Sequence, residues 1–379
     1  MEKGLSAGPH HARKMPAFKP RRRSRFQSLC YMVFGFGSLI LVYYYMFHHS
    51  VSSGSCSKQA ASNSTLGVSP SPAHLIHIPL ASEKFLLTLI SKFQKILVLS
   101  KSPSWRTRGL KAAAAYSGLD IEIPIQSVPT EEFIQVWRDL GDPKGKHPGL
   151  GQAYNWIAHL DLVKYAIALD LETVLILEDD VDWDVSIKQQ MQLISSAVRE
   201  FTFIDEEDET PYGKSWDILW IGHSGEPLKN ETRRVEFQDP SVPSEAQYTG
   251  WSKKYYNFNP GSRYVQRAVN PVGTIGYAMT KRGLKKVALW AGKGENEAYD
   301  IRLLEGCRTK DLSCIVVNPQ LMHHYVPPMD FGHISEVAGV NGAGSKAEEE
   351  DFEKLMGSTP NILQSTRCRV LFGSTCLRK

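Results

Sequence analysis

The sequence predicts an α/β fold in which a mostly parallel sheet is flanked by helices. Two observations support this prediction: short, almost entirely apolar runs, such as 95–100 and 173–177, and stretches of helical character between such runs. Runs of this length and composition are typical of strands that are buried on both faces. Because strands and helices alternate along the chain, the helices are expected to connect parallel strands and to pack on the sheet.

The individual elements follow from the same patterns in chain order. The helix after the first strand contains four alanines at 112–115, which are strong helix formers. Thr130 is a predicted N-cap, with two glutamates in the first turn of its helix. Residues 141–151 form a Gly/Pro-rich loop, and 223–270 is predicted to be irregular. The sequence thus predicts strands at 95–100, 121–125, 173–177, 216–221, 274–279 and 314–317, and helices at 105–117, 130–140, 153–169, 281–290 and 296–305.

Charge is distributed unevenly along the 379 residues. The whole chain has a net charge of +4, but residues 1–25 hold eight basic residues and one acid, so the rest of the chain is net negative. A nucleic-acid-binding domain presents a broad basic face, so this balance excludes nucleic acid as an expected partner. Apolar residues at 42% and charged residues at 22% also exclude wholesale disorder.

A membrane anchor is predicted at 26–47, where 22 consecutive residues carry no charge. As a helix this run would be about 33 Å long, enough to cross the apolar core of a bilayer. The basic residues before it predict a cytosolic N-terminus and a lumenal remainder, which is a type II single-pass layout. A cleaved signal peptide is the alternative, since small residues at 52–55 resemble a cleavage site.

The predicted domains follow from this anchor. They are a basic cytoplasmic tail at 1–25, the transmembrane helix at 26–47, a Ser/Pro-rich stem at 48–84, a folded core at 85–334 and an irregular C-terminal tail at 335–379. Lumenal placement makes Asn63 and Asn230 candidate N-glycosylation acceptors. In an oxidising compartment, Cys307–Cys314 and Cys368–Cys376 are candidate local disulfides, although spacing alone proves neither, and Cys56 is left over.

The most informative segment is 178–184, where five carboxylates follow a predicted strand. Such crowding costs electrostatic repulsion unless a cation offsets it. Because residues two apart on an extended chain point the same way, Glu178, Asp180 and Asp182 are expected to face one site, with Asp179 turned aside. Hard oxygen ligands suit Mg²⁺ or Mn²⁺. The alternative is an acidic loop that caps the following helix, although a cap needs one acid rather than five.

Basic residues elsewhere in the chain add further candidates. His323 and His324 follow the last predicted strand, where an imidazole is either an additional metal ligand or a structural group. Arg106 and Arg108 follow the first strand, where they are either solvated or bind the phosphates or base of a nucleotide. His159 lies within a predicted helix and is expected to be a satisfied core histidine.

Several stretches, taken in order, resemble glycosyltransferase family 25, the lipopolysaccharide and procollagen galactosyltransferase type. The acidic signature of that family stands here as Leu177-Glu178-Asp179-Asp180-Val181. One departure is Ala158, where the family often has Ser before the histidine. The other matching stretches, within about 94–327, are 96–99 with the two arginines after it, 151–160, 217–222, 273–285, 298–301 and 319–321.

The resemblance implies a GT-A-like (Rossmann-like) catalytic domain at 85–334. It also implies an inverting transfer of a hexose, most often galactose, from a UDP-sugar to a hydroxyl of a glycan, glycolipid or protein. A divalent cation, with Mn²⁺ expected, would take up charge on the departing diphosphate. An anchored enzyme of this kind is expected in the Golgi or the ER, with its catalytic domain in the lumen.

The resemblance and the residue chemistry together assign roles to individual residues. Asp300 is the expected base that deprotonates the acceptor, and its neighbour Glu297 is the alternative. The expected metal ligands are Asp180, Asp182 and His324. The residues expected to bind the donor are Arg106, Arg108, Glu178 and Asp179, of which Glu178 is also a candidate metal ligand.

Two other functions remain open. Asp180-Val181-Asp182 after an apolar strand resembles the nucleophile pattern of haloacid-dehalogenase-like phosphatases, which makes a metal-dependent phosphohydrolase one alternative. Asp184, however, stands where that pattern has Thr or Val. The other alternative is a non-catalytic, membrane-tethered lumenal binding protein. Metal-dependent binding of a nucleotide sugar would separate the predicted transferase from both.

Overall fold

The computed structural model describes residues 93–229, 233–250, 253–254, 256–331, 337 and 348–378. The predicted cytoplasmic tail, transmembrane helix and stem lie outside the described residues, as do Asn63, Asn230 and Cys56. Within the described ranges, no helix has the length and apolar character that crossing a membrane requires.

A ten-stranded sheet lies at the centre of the described structure. Its strands are β1 (Lys95–Leu99), β2 (Ile121–Glu122), β3 (Thr173–Glu178), β4 (Val181–Trp183), β5 (Ile218–Gly222), β6 (Arg234–Gln238), β7 (Ser262–Arg267), β8 (Gly276–Thr280), β9 (Cys314–Asn318) and β10 (Met322–His324). The main path has the order β2-β1-β3-β8-β5-β9-β7-β6, and β10 pairs with both β4 and β5. Strands β4, β7 and β8 run opposite to the others.

Helices cover both faces of this sheet. They are α1 (Trp105–Ser117), α2 (Glu131–Arg138), α3 (Leu150–Ala168), α4 (Ile187–Thr202), α5 (Lys281–Ala291), α6 (Tyr299–Thr309) and α7 (Thr366–Phe372). Leu175 and Leu177 of β3 pack in one core with α1 and α4, while Val174 and Ile176 pack in a second core with α2, α3, α5 and α6. This two-sided burial explains why the β3 run is apolar throughout. The prediction of a sheet flanked by helices is confirmed.

The sheet is nevertheless mixed, because β8 lies antiparallel between β3 and β5. The segment 223–270, predicted to be irregular, contains β6 and β7, which form an antiparallel pair. Strand β6 buries only Val235, and β7 buries polar residues such as Arg263 and Gln266. Neither strand therefore has the apolar run by which a buried strand is predicted from sequence.

Residues 348–378, here called the C-terminal segment, fold onto the sheet domain. For these residues the prediction of an irregular tail at 335–379 is corrected. Helix α7 packs on α1, and its Arg367 is fully buried. A Cβ atom at Gly109 of α1 would lie 3.0 Å from the Arg367 guanidinium carbon, so the glycine gives Arg367 room at this helix contact. The sequence does not predict α7 because seven residues with two arginines show no apolar periodicity. The predicted disulfides Cys368–Cys376 and Cys307–Cys314 are both confirmed.

Candidate metal centre

The acidic segment lies where β3 and β4 meet, at the carboxyl end of β3. Strand β3 ends at Glu178, Asp179 and Asp180 form a turn, and β4 begins at Val181. Strand β10 runs antiparallel to β4 and pairs His324 with Val181. This pairing brings a histidine from a distant part of the sequence to the acidic turn.

Glu178, Asp180 and His324 form the candidate metal centre. One ligand atom from each lies within 4.8 Å of the others. The Nε2 of His324 is 2.7 Å from a Glu178 oxygen and 3.7 Å from an Asp180 oxygen. The three side chains are 22%, 17% and 34% exposed, respectively, so an ion can reach them from solvent. Two carboxylates and one imidazole are a donor set that can hold a divalent ion such as Mn²⁺.

The electrostatics of this cluster favour positive charge between the two carboxylates. Burial disfavours a charge on His324, but the charge of Asp180 and the hydrogen bond to Glu178 raise the pKa of His324 to about 9. Burial also opposes ionisation of Glu178, but His324 outweighs this effect, and the pKa of Glu178 falls to about 2. Because a metal ion and a proton compete for the same imidazole nitrogen, a cation can take the place of this proton.

The two predicted donor-binding arginines lie in different places. Arg106 lies at the cluster, where its Nη1 contacts Asp180 and is 3.6 Å from Asp179. This largely buried guanidinium balances the two carboxylates. Arg108 instead pairs with two glutamates of the C-terminal segment on the surface, at 2.7 and 3.3 Å. The prediction for Arg108 is corrected, since residues two apart on a helix do not face the same way.

Two residues beside the cluster, Asp179 and His323, accept hydrogen bonds from other groups of the protein. The carboxylate of Asp179 accepts a hydrogen bond of 2.7 Å from the hydroxyl of Ser100, just beyond the end of β1. The Nδ1 of His323 accepts a 2.8 Å hydrogen bond from the backbone N–H of His324, and burial lowers the pKa of His323 to about 3. Neither side chain shares the grouping of Glu178, Asp180 and His324.

Asp182 is fully buried, which corrects the prediction that it faces the metal site. Its carboxylate accepts hydrogen bonds from the hydroxyls of Thr359 and Ser365 and from the backbone N–H of Arg367. The physical reason is the turn after β3. Alternation of side chains holds only along one extended strand, and the chain changes strand at this turn.

Asp184 likewise has a structural role. Its carboxylate accepts from the backbone N–H and the hydroxyl of Ser186, just before α4, and from the backbone N–H of Gln364. The alternative that the acidic segment caps the following helix is not supported, because α4 has no side-chain cap hydrogen bond. The carboxylates of Glu178 and Asp180 instead meet His324.

Asp300 lies in the first turn of α6. Its carboxylate accepts from the backbone N–H groups of Gly273 and Ile301, both at 2.9 Å. Burial raises the pKa of Asp300 above its usual value, and the negative charge of Glu178 adds to the shift. The alternative base, Glu297, lies on the surface and pairs with Lys146 at 3.0 Å.

No sequence pattern marks Thr274 as a site residue, although it is buried beside the cluster. Its hydroxyl donates a 2.9 Å hydrogen bond to the Oε1 of Glu178. The residue follows Gly273, whose φ of +87° and close approach to the Ser224 hydroxyl exclude a larger side chain. Only the pairing of distant strands reveals that Thr274 and Glu178 meet.

A cavity of about 690 Å³ lies apart from this cluster. Its lining includes Lys229, Lys254, Tyr256, Asn270 and Arg308, and none of the clustered carboxylates takes part in it. This cavity is therefore not part of the candidate metal centre.

Comparisons with known proteins add little to this geometry. No family model matches the chain, and no curated protein matches it. Among solved structures, the chain is similar to the crystal structure of A197 from STIV, with 11% sequence identity over 64% of this chain and 85% of that chain. The TM-score of 0.30 is too low for this likeness to support any argument about fold or activity.

Proposed function

We propose that this chain is a membrane-anchored, lumenal glycosyltransferase that resembles family 25, with a GT-A-like catalytic domain. It would transfer a hexose, galactose in the first instance, from a UDP-sugar to a hydroxyl of a glycan, glycolipid or protein, with inversion. The Golgi or the ER is the proposed location. The supporting observation is the cluster of Glu178, Asp180 and His324, whose ligand atoms lie within 4.8 Å of one another at the end of a central strand.

Each part of the cluster has a chemical task in this proposal. A divalent cation, Mn²⁺ in the proposal, would be held by Glu178, Asp180 and His324 and would stabilise the diphosphate leaving group. Arg106 offsets the remaining negative charge around Asp180, so that crowded carboxylates and a charged donor can share the site.

Asp300 is the proposed base for the acceptor hydroxyl. Burial raises its pKa, which brings the carboxylate closer to the proton affinity that a general base needs near neutral pH. The surface position of Glu297 and its pairing with Lys146 argue against the alternative base.

The burial of Asp182 disfavours the phosphohydrolase alternative. The nucleophile pattern on which that alternative rests needs Asp180 and Asp182 at one site. Asp182 is instead fully buried, and hydroxyl and amide donors of the C-terminal segment satisfy its carboxylate.

The proposed function is tested by donor hydrolysis, which needs no knowledge of the acceptor. The full-length protein in detergent would be incubated with a panel of UDP- and GDP-sugars, with and without Mn²⁺. We expect release of one nucleotide that depends on Mn²⁺ and is lost in Asp180→Asn. Asp205→Asn, which changes an exposed carboxylate elsewhere, should hydrolyse the donor like wild type.

Silence across the panel, together with no thermal stabilisation by any nucleotide plus Mn²⁺, would contradict the proposal. The non-catalytic binding protein would then be the better account. Release of inorganic phosphate from a generic phosphoester would instead favour the phosphohydrolase.

A further inference from the structure

A buried chain of hydrogen bonds leads from the second core of the sheet to the candidate metal centre. It begins at Tyr277 of β8, whose hydroxyl lies 3.0 Å from the Nδ1 of His159. The Nε2 of His159 lies 3.2 Å from the hydroxyl of Thr274, which in turn donates to the Oε1 of Glu178 at 2.9 Å. The ring of His159 also stacks on Tyr299, with 4.7 Å between ring centroids.

The direction of these hydrogen bonds is fixed by what each group can donate. An ionised Glu178 only accepts, so the single proton of the Thr274 hydroxyl goes to Glu178. Thr274 must then accept from His159, which requires a proton on the Nε2. A neutral imidazole carries one N–H, so the Nδ1 accepts from the Tyr277 hydroxyl. Burial lowers the pKa of His159 to about 4, which keeps the ring neutral at physiological pH.

The segment that carries Thr274 is held from several sides. The carbonyl of Gly273 accepts a 3.0 Å hydrogen bond from the indole of Trp220, and the backbone N–H of Ser224 donates to the carbonyl of Val272 at 2.8 Å. The backbone N–H of Gly273 donates to Asp300. The same short turn thus contacts both the proposed base and, through Thr274, a proposed metal ligand.

We propose that Thr274 and His159 are positioning residues that fix the orientation of the Glu178 carboxylate for metal binding. Thr274 binds the Oε1 of Glu178, and this leaves the Oε2, which faces His324, to the cation. Groups behind a metal ligand orient it and set its basicity. This inference rests on the proposed metal-dependent function and adds residues that act on the cation through Glu178.

The test is Mn²⁺ binding by full-length variants, measured as a dissociation constant. Thr274→Val keeps the shape of the side chain but removes the hydroxyl, and we expect a loss of about 10–100-fold in Mn²⁺ affinity. Thr274→Ser restores the hydroxyl and should bind Mn²⁺ nearly as wild type does. Tyr277→Phe removes the donor that orients His159 and should cause a smaller loss in the same direction.

Thr359→Val is a matched control, because Thr359 is also buried and also donates to a carboxylate of the acidic segment, at 2.6 Å to Asp182. It should lower the melting temperature without changing Mn²⁺ affinity. A purely structural role for Thr274 would make the two valine variants behave alike.

The outcomes separate this inference from the proposed function. If wild type binds Mn²⁺, Asp180→Asn does not, and both Thr274→Val and Tyr277→Phe bind like wild type, the positioning role is overturned and the metal site stands. If wild type itself does not bind Mn²⁺, the metal site and the positioning role are both overturned. If Thr274→Val does not fold, Tyr277→Phe decides the result by the same criterion.

Discussion

The two halves of the acidic segment use the same residue types for opposite purposes. Glu178 and Asp180 are partly exposed and meet His324, so their charge is available to a cation. Asp182 and Asp184 are buried, and protein hydroxyl and amide groups satisfy them. The difference shows that the role of a carboxylate depends on the donors that reach it from other parts of the chain.

The donors also explain why burial is tolerated in the second half. A buried charge is costly unless it is well hydrogen-bonded. The C-terminal segment supplies the hydroxyls of Thr359 and Ser365 and the N–H of Arg367 to Asp182. Glu178 and Asp180, in the first half, accept fewer hydrogen bonds from the protein and are more exposed. A metal ion can therefore bind them and offset their charge.

The largest contrast is expected in Mn²⁺ binding. Asp180→Asn should abolish detectable binding, because it removes an anionic ligand atom from the cluster. The change should lower the free energy of unfolding only modestly, because Arg106 keeps its contact with Asp179 and repulsion between the two carboxylates is relieved. Calorimetric titration of the two proteins with Mn²⁺ measures the effect. Equal affinities in wild type and variant would break the division between the two halves.

For the free energy of unfolding, we expect the opposite order, with a larger effect at Asp182 than at Asp180. Asp182→Ala should lower the free energy of unfolding by about 3–5 kcal/mol, because it leaves buried donors without their acceptor. Asp180→Ala, the same change two residues earlier, removes one partner of Arg106 but leaves its contact with Asp179, so the loss should be smaller. Urea unfolding followed by circular dichroism compares them, and similar losses in both variants would contradict the comparison.

Glu226 can be compared with the buried carboxylates of the acidic segment, because it is also buried but lies outside that segment. Burial raises its pKa to about 7, although the backbone N–H groups of Val269 and Asn270 donate to it. The usual pKa is 4.5, so between pH 4.5 and 7 the folded state binds more protons than the unfolded state. Stability should therefore fall as pH rises through this window, by up to about 3 kcal/mol.

Glu226→Gln removes this titration. The difference between wild type and Glu226→Gln in urea unfolding should therefore change across pH 4.5 to 7, in the direction that favours wild type at the acidic end. A difference that stays constant with pH would show that burial does not raise the pKa of Glu226.

The smallest effect is expected from the C-terminal disulfide. Replacing both Cys368 and Cys376 by alanine opens a short loop, with a separation of 8 residues, and should cost about 2.5 kcal/mol of stability. Because the disulfide lies beside the residues that hold Asp182 and outside the cluster of Glu178, Asp180 and His324, Mn²⁺ affinity should hardly change. Thermal melting and Mn²⁺ titration of the double variant test this, and a large loss of affinity would show that the two halves are coupled.

The sequence predicted the parts of the fold that depend on local pattern. The strand at 173–177 and the helix at 105–117 were recognisable because both-face burial and helix propensity leave marks in neighbouring residues. Strand β6 was missed because only Val235 of its five residues is buried. Helix α7 was missed because its packing depends on one buried arginine, Arg367, and not on an apolar stripe.

The candidate site was predictable only in part for a similar reason. The acidic segment marked Glu178 and Asp180, and His324 was a candidate from its place after the last predicted strand. Asp182 was assigned to the wrong side because Thr359, which holds it, is 177 residues away. Thr274 was not found because its partner lies 96 residues earlier in the chain. Contacts over such distances leave no local pattern.

The central claim is that the first half of the acidic segment, with His324, holds a divalent cation. The most direct measurement is electron spin-echo spectroscopy of Mn²⁺ bound to the full-length protein, which detects a coordinated histidine nitrogen. We expect one bound ion with a nitrogen coupling that disappears in His324→Gln and persists in His323→Gln. A bound ion without any nitrogen coupling, or a coupling that survives in His324→Gln, would contradict the account.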